Sequence, residues 1–89
     1  MATITVSRQD AERFRVRVDE GGSRTEHEVT LSAADLRRLG GGYPAAEELV
    51  RACFEFLLER EPKESILRRF DVSVIGRYFP EFETAIARG

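Results

Sequence analysis

With 42% hydrophobic and 34% charged residues, this chain of 89 residues and 10.1 kDa has globular proportions, and it is too short to divide into two separately packed units, so residues 1 to 89 are expected to form one domain. Fourteen basic against sixteen acidic residues leave a formal net charge of −2, which argues against a strongly basic nucleic-acid or membrane binder. The opening MATITVSRQD has no basic region followed by a long apolar run, and no apolar stretch approaches the roughly 18 to 20 residues of a membrane span, so a cytoplasmic protein without a membrane partner is expected.

The first third predicts strands. Thr3 to Ser7 sets Ile4 and Val6 on one face, and Arg13 to Val18 sets Phe14, Val16 and Val18 opposite Arg13, Arg15 and Arg17. Strict alternation is what a sheet with one wet face requires. Arg8 to Glu12 is a polar connection of hairpin length, and Glu20-Gly21-Gly22-Ser23 supplies the positive-φ positions of a second tight turn. Arg24 to Leu31 alternates again, with His27, Val29 and Leu31 opposite Glu26, Glu28 and Thr30. A three-stranded meander follows, with the arginine row of strand two facing the glutamates of strand three.

The period then changes from two to that of a helix. Ser32 reads as an N-cap with Asp35 three residues on, and Ala33 to Leu39 as a two-turn helix stopped by Gly40-Gly41-Gly42. A long helix is expected over residues 44 to 61, with Pro44 in its first turn and an apolar stripe of Ala46, Leu49, Val50, Cys53, Phe54 and Leu57. Phe56 and Leu58 widen the stripe beyond what one sheet face covers, so part of it should meet the C-terminal segment or another chain. Pro62 ends this helix and begins another to about Arg69. Asp71-Val72-Ser73 reads as a turn in which Asp71 or Ser73 caps a short helix, Val74 to Phe79, the alternative being a strand from Asp71 to Ile75. A last short helix is expected from Glu81 to Arg88. The fold class is α+β: a three-stranded antiparallel meander packed on one long helix, with short C-terminal helices.

Little in this pattern carries catalytic chemistry. The glycine triplet precedes a helix, yet it runs into Tyr43-Pro44 where a phosphate loop needs Gly-Lys-Ser/Thr, and it does not follow a strand. His27 lies on the apolar side of its strand and reads as structural. Cys53 lies mid-helix on the core stripe, where burial makes a thiol inert. One cysteine and one histidine cannot make a closed zinc site. No catalytic, cofactor or metal residues are expected, and the chain reads as a non-enzymatic binding protein whose partner is another protein or a second copy of itself.

Two segments carry what functional signal there is. Ile66 to Tyr78 places an apolar pair, Arg68, Arg69, Phe70, an Asp-Val-Ser turn and Arg77 in the order of many helix-turn-helix units, which makes Arg68, Arg69 and Arg77 candidate nucleic-acid contacts in an alternative reading as a DNA-binding regulator. Four of the eight aromatic residues, Phe70, Tyr78, Phe79 and Phe82, crowd into the C-terminal segment. They either complete the core or leave Tyr78, Phe79 and Phe82 as an interface, since aromatic residues are enriched at interface centres.

The strand meander followed by a helix beginning Ala45-Ala46-Glu47-Glu48-Leu49-Val50-Arg51-Ala52 gives residues 1 to 60 a broad resemblance to the HicB-type antitoxin fold, a small βββα unit that in many members carries a C-terminal DNA-binding element. The resemblance implies a toxin as protein partner and DNA as a second one.

Overall fold

Polar and apolar residues alternate within three segments of the first thirty positions, and three antiparallel strands result: β1 (Thr3–Arg8), β2 (Arg13–Glu20) and β3 (Ser23–Thr30). The structure is a computed structural model that describes residues 2–87. Phe14, Val16, Val18 and Val29 are fully buried on one sheet face, with Ile4 and His27 nearly so. On the other face the register sets Arg15 against Glu28 and Arg17 against Glu26. The arginines reach their acids by side-chain slant, with Arg13 3.9 Å from Glu28, Arg15 3.4 Å from Glu26 and Arg17 3.2 Å from Asp19. The expected charge pairing across the wet face is therefore present.

Both hairpin turns have local chemical causes. In the first, the Asp10 carboxylate accepts from the amides of Glu12 and Arg13 at 3.0 Å each and takes a forked contact from the Arg13 guanidinium. In the second, Gly21 and Gly22 have φ of 63° and 81°, the pair of positive values that a two-residue turn matched to strand twist demands. The pattern then shifts to helices α1 (Ala33–Leu39) and α2 (Ala46–Leu58). The Ser32 hydroxyl accepts from the Asp35 amide at 3.1 Å, so the expected cap forms. Gly40 closes α1 by donating to the Leu36 carbonyl at 2.8 Å.

Helix α2 lays its stripe on the sheet, burying Leu49, Val50, Cys53, Phe54, Phe56 and Leu57. At about 25 cal/mol per Å² of apolar surface, a fully buried residue such as Phe54 stabilises the fold by roughly 1.5 to 3 kcal/mol. The Arg51 guanidinium donates to the Ile4 carbonyl and so ties the helix to β1. The helix is shorter than its expected span of 44 to 61. Ala45 is the extended N-cap, which leaves Pro44 outside, and Arg60 and Glu61 both donate to the Leu57 carbonyl in a closing turn.

The C-terminal third departs most from expectation. Where a helix from Pro62 to Arg69 is predicted, the chain makes one 3₁₀ turn, Lys63–Ser65, and then extends into a fourth strand, β4 (Arg69–Asp71), parallel to β3. The sheet is thus mixed and four-stranded, in the order β1-β2-β3-β4, and the antiparallel meander is its larger part. The expected turn at Asp71 survives as a cap, since its carboxylate accepts from the Ser73 amide at 3.0 Å and starts a 3₁₀ turn, Val72–Val74, that runs into α3 (Ile75–Tyr78). The last helix is α4 (Phe82–Ala87); Arg88, where its predicted end falls, lies outside the described residues.

Helix α4 closes the core from the side. Phe82 meets Phe56 of α2 edge-on at 5.1 Å between ring centres, and the Tyr43 hydroxyl donates to the Ile86 carbonyl at 2.9 Å. Phe82 is 1% exposed, so the expectation that it joins Tyr78 and Phe79 in an interface is corrected. The excess width of the α2 stripe is what takes it in. Among the described residues no helix is long and apolar enough to cross a membrane.

Candidate functional site

The end of α2, the 3₁₀ turn after it, β4 and α3 surround an open apolar groove of about 250 Å³. Leu57, Ile66 and Phe70 line it from the core side, Leu67, Val74 and Tyr78 from the solvent side, with Phe79 at the end of α3. Leu67 is 49% and Tyr78 68% exposed, the large apolar side chains that stand out of an otherwise buried set. Phe79 is half-buried and edge-on to Phe56 at 5.9 Å.

His27 holds the near wall in place. Its Nδ1 lies 2.8 Å from the Leu67 carbonyl and its Nε2 2.9 Å from the Thr25 hydroxyl. A carbonyl only accepts, so Nδ1 carries the proton and Nε2 accepts from Thr25. Burial pushes the imidazole pKa down, and the nearby Arg68 charge adds to this against the opposing pull of the Leu67 hydrogen bond. The residue is a structural clamp, as its side of the strand implied: it fixes the peptide that leads into β4, while the Glu28 amide donates to the Arg68 carbonyl at 2.7 Å. Asp71 holds the far end of β4. Its carboxylate accepts from the Thr30 hydroxyl at 2.5 Å and from the Ser73 amide. Burial pulls the Asp71 pKa upward, and these hydrogen bonds outweigh it, leaving the carboxyl below its usual range.

The three arginines proposed for nucleic acid do not form one surface. Phe70 turns inward, with its ring 5.9 Å from that of Phe54, and Asp71 reaches Thr30 on the wet face. Strand alternation therefore puts Arg69 on the wet face, while Arg68 precedes β4 as an exposed bend residue and does not line the groove. Arg77 is exposed on α3, whose Ile75 and Tyr78 line the groove while Arg77 does not. Since α3 is a single turn and Arg69–Asp71 form a strand, the helix pair behind the DNA-binding alternative is not formed. Arg68, Arg69 and Arg77 make no ion pair among the described residues, and neither do Arg8 and Arg37, in contrast to Arg13, Arg15, Arg17, Arg24, Arg38 and Arg60.

Glu61 is the one acidic side chain in the groove wall, and partial burial pushes its carboxyl pKa up. It too has no ion-pair partner among the described residues. Leu67, Val74 and Glu61 escape sequence reasoning because a helix over 62 to 69 hides Leu67 in an apolar face. The run Phe70-Asp71-Val72, rich in strand-forming residues, is the signal that points the other way.

Elsewhere the chemistry-bearing residues are occupied with structure. Cys53 is fully buried, and burial pushes its thiol up to about 12. The glycine triplet is the connection between α1 and α2. Among the described residues no group of three or more His, Cys, Asp or Glu side chains is placed to hold a metal ion. No protein-family model matches the chain, and neither a curated protein nor a solved structure is significantly similar to it.

Proposed function

We propose that this chain is a binding protein that acts without catalysis, and that the groove between α2, β4 and α3 is where it takes another protein. The observation that carries this reading is the exposure of Leu67 and Tyr78 in the lining of one apolar groove. Large apolar side chains gathered at a concave surface are a mark of interaction sites, and their contact with water costs free energy that a partner recovers. Size favours side chains over a whole ligand: at about 250 Å³ the groove falls below the roughly 300 to 1,000 Å³ of pockets that enclose small molecules. In the alternative reading as a HicB-like antitoxin, which rests on the sequence resemblance of residues 1 to 60, the partner is a toxin.

Panning a helix-biased peptide library against the full chain tests the groove reading. Selected peptides should lose binding to a Leu67→Ser/Tyr78→Ser double variant, whose fold should be retained because Leu67 is half and Tyr78 mostly exposed. Peptides that bind that variant as well as the wild type, or a library that returns no binder at micromolar protein, would refute it.

A further inference from the structure

Glu61 is the one charged residue in the groove lining, and it dictates what an occupant must bring. The cations nearest to it in the chain are committed elsewhere: Arg60 to Glu59 and Glu81 at 3.1 Å each and to the Phe56 carbonyl at 3.0 Å, and Lys63 to Glu64 at 2.9 Å. Arg68 and Arg77 are exposed and lie outside the lining. Glu61 therefore makes no ion pair among the described residues, and it stands half-buried in a lining that is otherwise mostly apolar. Partial burial raises its carboxyl pKa, the sign of a charge short of solvation. It also follows the C-terminal end of α2, where helix carbonyls add partial negative charge and the last turn carries no basic residue.

An occupant that covers the groove with apolar surface alone would take Glu61 out of water and leave its charge unpaired, a loss that offsets the gain from covering Leu67 and Tyr78. An arginine or lysine set against Glu61 turns that loss into a charge-assisted hydrogen bond, stronger in poorly solvated surroundings than in water. Resting on the groove reading above, we propose that the occupant is a basic amphipathic segment of a foreign protein, in which an apolar anchor covers Leu67 and Tyr78 and an adjacent arginine or lysine pairs with the Glu61 carboxylate. An acidic segment and duplex DNA are poorer matches, since both set negative groups against Glu61. A second copy of this chain is also poorer, because a two-fold contact is made by the same patch twice, and that lining holds a carboxylate and no cation.

The test uses the full chain and two synthetic helical peptides with identical leucine and phenylalanine anchors, one carrying an arginine beside the anchors and the other a glutamine in its place. Fluorescence anisotropy should show the arginine peptide binding about tenfold more tightly. Glu61→Gln should bring the arginine peptide down to the affinity of the glutamine peptide and leave the latter unchanged, which also shows that the groove is intact in this variant. Glu20→Gln makes the same change of charge at an exposed residue at the end of β2 and should keep the preference, whereas Leu67→Ser/Tyr78→Ser should abolish binding of both peptides. If both peptides bind wild type equally and are lost in the Leu67→Ser/Tyr78→Ser variant, the groove stands and the basic partner is wrong. A preference that persists in Glu61→Gln, or that disappears in Glu20→Gln as well, would overturn the role given to Glu61. If neither peptide binds, or binding survives the Leu67→Ser/Tyr78→Ser variant, both readings fall. A sedimentation mass of two chains that reverts to one on Tyr78→Ser would make a second copy the occupant and overturn the proposal.

Discussion

Replacing Phe82 by Ala separates a core role for the C-terminal aromatics from an interface role. Phe82 is 1% exposed and sits edge-on to Phe56 at 5.1 Å between ring centres. Burying a phenylalanine removes about 200 Å² from water, which at about 25 cal/mol per Å² corresponds to about 5 kcal/mol as an upper bound. Measured Phe→Ala changes in cores cost about 3 to 5 kcal/mol, because the cavity left behind only partly collapses. A domain of this length has a total stability of roughly 4 to 13 kcal/mol, so the variant should lose about a quarter of it or more. Urea unfolding followed by circular dichroism should show a large fall in midpoint with little change in slope, and the thermal midpoint should drop by 10 °C or more, at about 4 to 8 °C per kcal/mol. Tyr78→Ser, which changes a side chain 68% exposed, should stay within about 0.5 kcal/mol of wild type. A Phe82→Ala protein that loses less than about 1 kcal/mol would show that α4 does not close the core, and the packing described for it would be refuted.

Three further outcomes follow from particular contacts. Cys53, fully buried with its thiol pushed up to about 12, should react with a thiol reagent only as fast as the chain unfolds; stoichiometric labelling in buffer within minutes would contradict its placement. Burial holds the His27 pKa below its unfolded value of about 6.5, so the unfolded chain takes up the proton first. Its contribution to stability is complete above that value and declines as pH falls from there toward the depressed folded-state pKa. Urea midpoints at pH 8 and pH 5 should therefore differ more in wild type than in His27→Gln, and an equal difference would remove His27 from the account. At Gly40 an added methyl would lie 2.5 Å from the Leu36 carbonyl oxygen and 2.9 Å from Leu36 Cδ1, so Gly40→Ala should cost about 1 to 3 kcal/mol in thermal unfolding, whereas Gly41→Ala, with nothing within 4 Å, should be nearly neutral.

What the sequence by itself determined is everything that repeats locally. The alternation in Phe14-Arg15-Val16-Arg17-Val18 allows only a strand with one wet face, and the three- and four-residue spacing from Ala46 to Leu57 allows only a helix lying on it. Ser32, Asp10 and the Gly21-Gly22 pair act within three residues of themselves, so their turns and cap are legible without tertiary information. The burial of Cys53 and His27 follows from the same periodicities. Residues 62–79 are different, because no element there is long enough to display a period. β4 has three residues, and its partners in β3 lie some forty positions earlier: Glu28 pairs with Arg69, and Thr30 with Asp71. What holds it is the His27 contact with the Leu67 carbonyl and the Thr30 hydrogen bond to Asp71, both made across that separation. Helical spacing read over Ile66, Leu67 and Phe70 predicts a buried face, yet the long-range pairing turns Phe70 inward and leaves Leu67 in water. The groove exists for the same reason. It is formed where a short parallel strand and a single helical turn meet the end of α2, an arrangement decided by tertiary hydrogen bonds and not by any local preference of the residues that line it.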